Sequence, residues 1–336
     1  MLFPFSYWLF LITLISGTIM AISSPSWFGA WVGLELNLMS FIPLITTKMA
    51  SYFSETALKY FLIQALGSTL LIVSSFLSIS MVYLSFILIF MSLLLKLGSA
   101  PFHFWFPHIM EGLYWPQVFI ISTIQKLAPI VLLSYISLSP LIIKMLLLSS
   151  ILSAMIGAVG GLNLSSLRKI IAFSSINHLS WMISAIIVSD SFWVIYFLVY
   201  FFILISTTSM FHKFQSFTLS DLLKPNMNSI FFSILLTCNL LSLSGLPPFL
   251  GFVPKWLLIQ MLVNLNFFIP LSFFLLSTLI TLYFYLRIIL PQLLFSSSTM
   301  TFNLQNNHLT TETPFFFFQV SINLLGLILP IYLILL

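Results

Sequence analysis

Long apolar runs, separated by short polar or Gly- and Pro-containing turns, fill nearly all of the 336 residues. A helix needs roughly 20 apolar residues to cross a bilayer. On that measure the pattern predicts eleven transmembrane helices, at about 4–22, 27–46, 56–80, 82–112, 115–136, 141–161, 169–188, 191–213, 228–264, 268–291 and 314–336. A transmembrane barrel would instead show alternating segments of roughly ten residues. Residues 1–22 lack a basic leading region, so they read as a first span rather than a cleaved leader. The longest polar stretch, about 296–313 with its SSST and QNNH segments, is expected to be a loop, and 213–228 a shorter one.

Spans four and nine are too long for one straight helix, and Gly and Pro interrupt both. Residues 98–108 read GSAPFHFWFPH and 245–255 read GLPPFLGFVPK. At an offset of 147 residues, Gly98 matches Gly245, Pro101 matches Pro248, Phe102 matches Phe249 and Pro107 matches Pro254; Trp105 and Phe252 are both aromatic, and His108 falls on Lys255. Each interruption is the fourth span of a set of five. The chain therefore reads as a single membrane domain of two five-helix repeats, 1–136 and 141–291, plus a C-terminal helix at 314–336. Units with an odd number of spans must sit inverted relative to each other. Broken helices at matching places in inverted halves point to an ion or substrate pathway near the midplane. Proline removes a backbone donor, and open backbone is tolerated at that depth only inside protein or beside water.

Composition agrees with this class. Hydrophobic residues make up 60% and charged residues 5%, with a mean hydropathy of +1.17. A soluble domain carries about 25% charged residues, and disorder needs low hydrophobicity, so both are excluded. One cysteine, Cys238, excludes a disulfide scaffold. Abundant Phe (37) with scarce Cys fits an organelle-encoded membrane protein. The net charge of +5 reports loop placement rather than nucleic-acid binding. Lys48, Lys59, Arg168, Lys169, Lys213, Lys224 and Arg287 fall on the side of the N-terminus, with Lys144 opposite. The N-terminus is therefore expected on the cytoplasm-equivalent side and the C-terminus on the other.

Four charges lie where the pattern places membrane interior. Glu35 is mid-span in GAWVGLELNLMSF, Lys126 is mid-span in ISTIQKLAP, Lys96 precedes the first break and Lys255 follows the second. Each costs about 2.5–3.5 kcal/mol to insert. Burial disfavours the charged form and a nearby opposite charge restores it, so protonation becomes sensitive to what moves close by. A proton pump needs that coupling; a static Glu–Lys pair or snorkelling toward an interface is the structural alternative. His178, beside Ser174, Ser175 and Asn177, can relay protons or serve as a hydrogen-bonded structural group, and His103 in the first break stands equally open. His108 and Glu111, near the end of span four, read as solvated. So do Asp190 in a short turn and Glu55 and Lys59 beside a loop.

The sequence holds no Gly-rich nucleotide fingerprint or phosphate-binding loop and no Cys cluster for iron–sulfur or zinc. Its five histidines have no spacing for a haem. The chain is thus expected to carry no redox centre, metal or cofactor, so energy other than an ion gradient would come from a partner.

The motifs GAWVGLELNLMSFIP (29–43), SLLLKLGSAPFHFWFPHIMEG (92–112), QKLAP (125–129), GAVGGLNLSSLRKIIAFSSINHLSWM (157–182) and LSLSGLPPFLGFVPKW (241–256) are long and specific. Through them the sequence closely resembles the antiporter-like membrane-arm subunits of animal mitochondrial respiratory complex I, NADH–ubiquinone oxidoreductase. The likeness runs through most of the chain; the last 60 residues match in hydropathy alone. It implies an all-α polytopic fold, shortened at the N-terminus to eleven helices, in the mitochondrial inner membrane with the N-terminus on the matrix side. It implies a proton path through Glu35, Lys96, Lys126 and Lys255, with His178 as a candidate relay. It also implies a hetero-oligomer with other membrane-arm subunits. NAD, flavin, iron–sulfur clusters and ubiquinone would then lie on partner subunits. The basic loops could meet cardiolipin head groups, and no nucleic acid is expected. Two other functions remain open on the sequence: a stand-alone cation/proton antiporter, and a scaffold with vestigial charges.

Overall fold

A computed structural model describes residues 5–46, 51–137, 139–222 and 230–298. Lys48, Lys224 and the expected last helix at 314–336 lie outside these residues. Among the described residues the chain forms fourteen helices and one isolated antiparallel bridge, Ser166 to Thr218. It divides into two compact units, the first up to Ile156 and the second from Gly157 onward. Among the described residues, eight helical stretches are long and apolar enough to cross a membrane, and three shorter apolar helices accompany them.

In the first unit, α1 (Phe5–Ser23), α2 (Trp27–Ile45) and α3 (Ser51–Leu77) pack in succession. Ser26 starts α2 by accepting the Gly29 amide, as an N-cap serine does. The fourth expected span is two helices, α4 (Val82–Leu97) and α5 (Trp105–Glu111), joined by the Gly98–Phe104 segment. The fifth is also two: α6 (Trp115–Ser122) and α7 (Ile124–Ile136), meeting at Thr123. Together they form one apolar stretch, Trp115–Ile136, long enough to cross a membrane, as the span read over 115–136 expects, with an internal break at Thr123. Pro129 lies inside α7, where it cannot donate to the Gln125 carbonyl. α3 and α7 both flank α4.

In the second unit, the helices are α9 (Leu167–Val188), α10 (Asp190–Phe214), the short α11 (Leu219–Leu222), α12 (Ile230–Ser244), α13 (Phe252–Asn264) and α14 (Phe268–Ser298). α8 (Pro140–Gly160) ends at its start. α10 and α14 flank α12, as α3 and α7 flank α4. α9 is buried along almost its whole length, as befits a helix surrounded by others. Two boundaries differ from expectation. Asp190 opens α10 instead of sitting in a turn, and its carboxylate accepts from the Trp193 indole. α14 continues to Ser298, past the expected end at 291.

A second correspondence appears at an offset of 140. A methyl group on Gly17 would meet the Asn37 amide nitrogen at 2.9 Å, and one on Gly157 would meet the Asn177 amide nitrogen at 2.7 Å. Both asparagine side chains then accept a hydrogen bond from a later helix. Gln125 donates to Asn37 at 2.7 Å and Ser277 donates to Asn177 at 3.1 Å. Tyr60 and Tyr200, both buried, stand at the same offset.

Outside these contacts, helix faces carry apolar side chains such as Phe5, Ile12, Leu62, Tyr83, Ile269 and Leu279, the surface a lipid-facing helix presents. Inward serines and threonines donate to carbonyls three or four residues back, for example Ser74 to Leu71 and Ser153 to Ser150. That satisfies their hydroxyls within the helix.

Candidate functional site

α4 ends because Gly98 takes a left-handed conformation, φ 68°, and α12 ends at Gly245, φ 80°. Only glycine enters that region freely. A helix end leaves up to four carbonyls without partners, so each break must find donors. At the first break, Gly98 and Ser99 return amides to Leu95 and Leu94. The Trp105 indole donates to the Leu95 carbonyl at 3.0 Å, and the Gln64 amide reaches the Lys96 carbonyl at 3.5 Å. Gly245 and Leu246 do the same for Leu241 and Ser242 at the second break. There the Ser244 carbonyl accepts from Lys255 Nζ at 2.7 Å.

Lys96 is in the last turn of α4, 7% exposed. A helix C-terminus carries partial negative charge and favours a cation. Its stem lies against Gly67, where an added methyl group would meet Lys96 Cγ at 3.1 Å. Glu35 on α2 lies within electrostatic reach of Lys96, but the two close no ion pair. Glu35 Oε2 is buried without a hydrogen-bond partner.

Lys126 on α7 is 2% exposed. Its Nζ has no hydrogen-bond partner and sits 4.7 Å above the centre of the Phe106 ring. A ring face attracts a cation at that range. Lys96 and Lys126 line one small cavity with Asn37, Tyr60, Gln64 and Gln125. The cavity has room for about one water.

The second unit holds His178 and Lys255. His178 Nδ1 is 2.9 Å from the Tyr196 hydroxyl, and its ring lies 4.9 Å from that of Tyr200. Lys255 is 5% exposed. A methyl group on Gly245 would meet its Cδ at 2.8 Å and its Nζ at 2.9 Å, so the glycine is what lets the ammonium reach the helix end.

Glu35, Lys96 and Lys126 are thus brought together in one unit, while His178 and Lys255 lie in the other. His103 is in the first break with its Nδ1 3.3 Å from the Pro101 carbonyl. Glu55 and Lys59 form an exposed ion pair of 2.6 Å on the first turns of α3. Residues the sequence did not single out include Gln125 and Asn37, which tie α7 to α2 beside Lys126, and Tyr196 beside His178. Their polarity within apolar runs was the available signal for the first pair. Tyr196 is on another helix, 18 residues from His178, and no spacing rule links them. Among the described residues, no group of three or more His, Cys, Asp or Glu side chains converges as a metal ligand set.

The family model described as NADH:quinone oxidoreductase/Mrp antiporter, TM, matches residues 24–83 and 72–281. The chain is 45% identical over 338 residues to an NADH-ubiquinone oxidoreductase chain 2 of Anopheles gambiae, covering 97% of this chain and 98% of that one. Its fold is similar to a chain in respiratory complex I from Thermus thermophilus, with TM-score 0.79 and 24% identity over 86% of this chain and 71% of that chain. It is also similar to a chain of the Mrp complex from Dietzia, with TM-score 0.75 and 15% identity over 83% and 59%.

Proposed function

The chain belongs to the NADH-ubiquinone oxidoreductase chain 2 family, and from that membership we propose that it is a core, antiporter-like membrane subunit of respiratory complex I. It contributes to proton translocation driven by electron transfer from NADH to ubiquinone. It resides in the mitochondrial inner membrane among other membrane-arm subunits, with the N-terminus toward the matrix and the C-terminus toward the intermembrane space. NAD, flavin, iron–sulfur clusters and ubiquinone belong to partner subunits, and this chain handles protons alone. Its fold comprises eleven membrane helices, two inverted five-helix repeats and a C-terminal helix. The shared Gly–Asn contacts at offset 140 and the shared breaks at offset 147 support that reading.

The observation that carries the proposal is the pair of helix breaks, each ending against a buried lysine. Glu35, Lys96, Lys126, His178 and Lys255 are the proton-carrying groups. Glu35 near Lys96 holds that lysine charged. Moving them apart removes the favourable field, and Lys96 releases its proton. The cavity shared with Lys126 takes a water that bridges the two amines. Lys126, whose cation has a ring face and no fixed acceptor, accepts and releases a proton without breaking a structural bond. His178 and Lys255 serve the second unit in the same capacity. Cardiolipin head groups are the expected partners of the basic loops.

The test is native electrophoresis of gently solubilised membranes, stained for NADH dehydrogenase activity. The chain's peptides are expected in the large active band. Recovery mainly in a small inactive band would overturn the subunit reading and favour a stand-alone antiporter.

A further inference from the structure

The second unit buries three tyrosines around His178. Tyr196 and Tyr200 stand one turn apart on α10, Tyr285 comes from α14, and all three are at most 2% exposed. Tyr196 meets His178 Nδ1 at 2.9 Å and lies within electrostatic reach of Tyr200 and Tyr285. The Tyr200 hydroxyl faces Ser175 and that of Tyr285 faces Ser174, yet neither closes a hydrogen bond of ordinary geometry. Both serines have committed their protons to their own helix, Ser174 to Ile171 and Ser175 to Ala172. They can therefore only accept.

Packing alone does not account for this arrangement. Phenylalanine would fill the same space without bringing three hydroxyls into a membrane interior, where an unsatisfied polar group costs about 1–3 kcal/mol. A phenol can accept a proton on oxygen while giving up its own, so no tyrosinate need form. An imidazole can do the same between its two nitrogens. Tyr200 also occupies the position that Tyr60 holds beside Lys96 and Lys126 in the first unit.

We propose that Tyr196 and Tyr200, with Tyr285, form with His178 a buried hydroxyl–imidazole relay that moves protons within the second unit. The inference rests on the reading of His178 as a proton carrier. A proton arriving at Nε2 makes the ring an imidazolium. The Nδ1 proton passes to the Tyr196 oxygen as the Tyr196 hydroxyl proton passes to the Tyr200 oxygen, the Tyr200 proton to Tyr285, and the Tyr285 proton to water. One proton enters and one leaves; the ring, left protonated on Nε2, returns to the Nδ1–H form by a ring flip or tautomer exchange, and the hydroxyls turn back.

The experiment compares Tyr196→Phe, Tyr200→Phe and His178→Gln in assembled complex I reconstituted into vesicles, with proton uptake measured per NADH oxidised. Tyr283→Phe, on the exposed face of α14, is the control and is expected to match wild type. Tyr196→Phe and Tyr200→Phe are expected to lower the pumping rate at least about tenfold, and to change the solvent deuterium isotope effect on pumping. Normal pumping in both, with loss in His178→Gln, would overturn the relay while leaving the histidine in place. Normal pumping in all three would overturn the role of His178 as well. Should Tyr196→Phe fail to assemble, Tyr200→Phe carries the same prediction and its normal pumping overturns the relay.

Discussion

Where α4 stops at Gly98, its open carbonyls are taken by neutral donors, the Trp105 indole and the Gln64 amide. Where α12 stops at Gly245, the Ser244 carbonyl is taken by the ammonium of Lys255. The same device, a left-handed glycine followed by proline, thus leaves two lysines in different employment. Lys96 is held by the helix end's field and by Glu35, with no hydrogen bond binding its ammonium. Lys255 is a structural donor as well as a charge. A lysine free of structural bonds can lose its proton cheaply, whereas one that caps a helix weakens its bond, because the neutral amine keeps N–H donors but loses the charge that strengthens them.

The most direct way to break this comparison is to remove each lysine. Lys96→Met is expected to lower proton pumping per NADH by about two orders of magnitude while the amount of assembled complex stays near wild type. Lys255→Met is expected to lower pumping and also the resistance of the complex to heat or detergent, because the Ser244 carbonyl loses its donor, worth about 1–3 kcal/mol. Equal loss of assembly in both variants would erase the distinction.

The glycines sharpen it. Gly98→Ala and Gly245→Ala each force alanine into the left-handed region, costing roughly 1–2 kcal/mol. The added methyl at 245 also meets Lys255, while the one at 98 meets Phe106 and Trp105. Gly245→Ala should therefore reduce pumping per NADH more than Gly98→Ala in complexes of equal abundance. The smallest effect is expected from Trp105→Phe, which removes one of two donors to the Leu95 carbonyl. It should cost about 1 kcal/mol in thermal stability and leave the proton-to-electron ratio unchanged.

Much of this fold was legible because a bilayer imposes a length rule on apolar runs. Ten of the eleven expected spans fall on described helices, and both Gly–Pro breaks lie where the sequence placed them. The interruption at Thr123 was not legible from composition, since it falls inside an otherwise continuous apolar run. The cavity joining Lys96 and Lys126 was half legible: their cost marked each lysine as exceptional, but their meeting depends on α4 and α7 packing together. The internal likeness at offset 140 was hidden because a glycine and an asparagine carry it through backbone contact. The tyrosines around His178 were hidden for a related reason, since in an apolar run a buried tyrosine reads as packing.

The central claim is that buried lysines of this chain carry protons, and Lys126 tests it most directly because its ammonium holds no structural bond. Lys126→Met is expected to leave the complex assembled and its NADH oxidation measurable while protons moved per NADH fall below the wild-type value. An unchanged proton stoichiometry in the assembled variant would contradict the account.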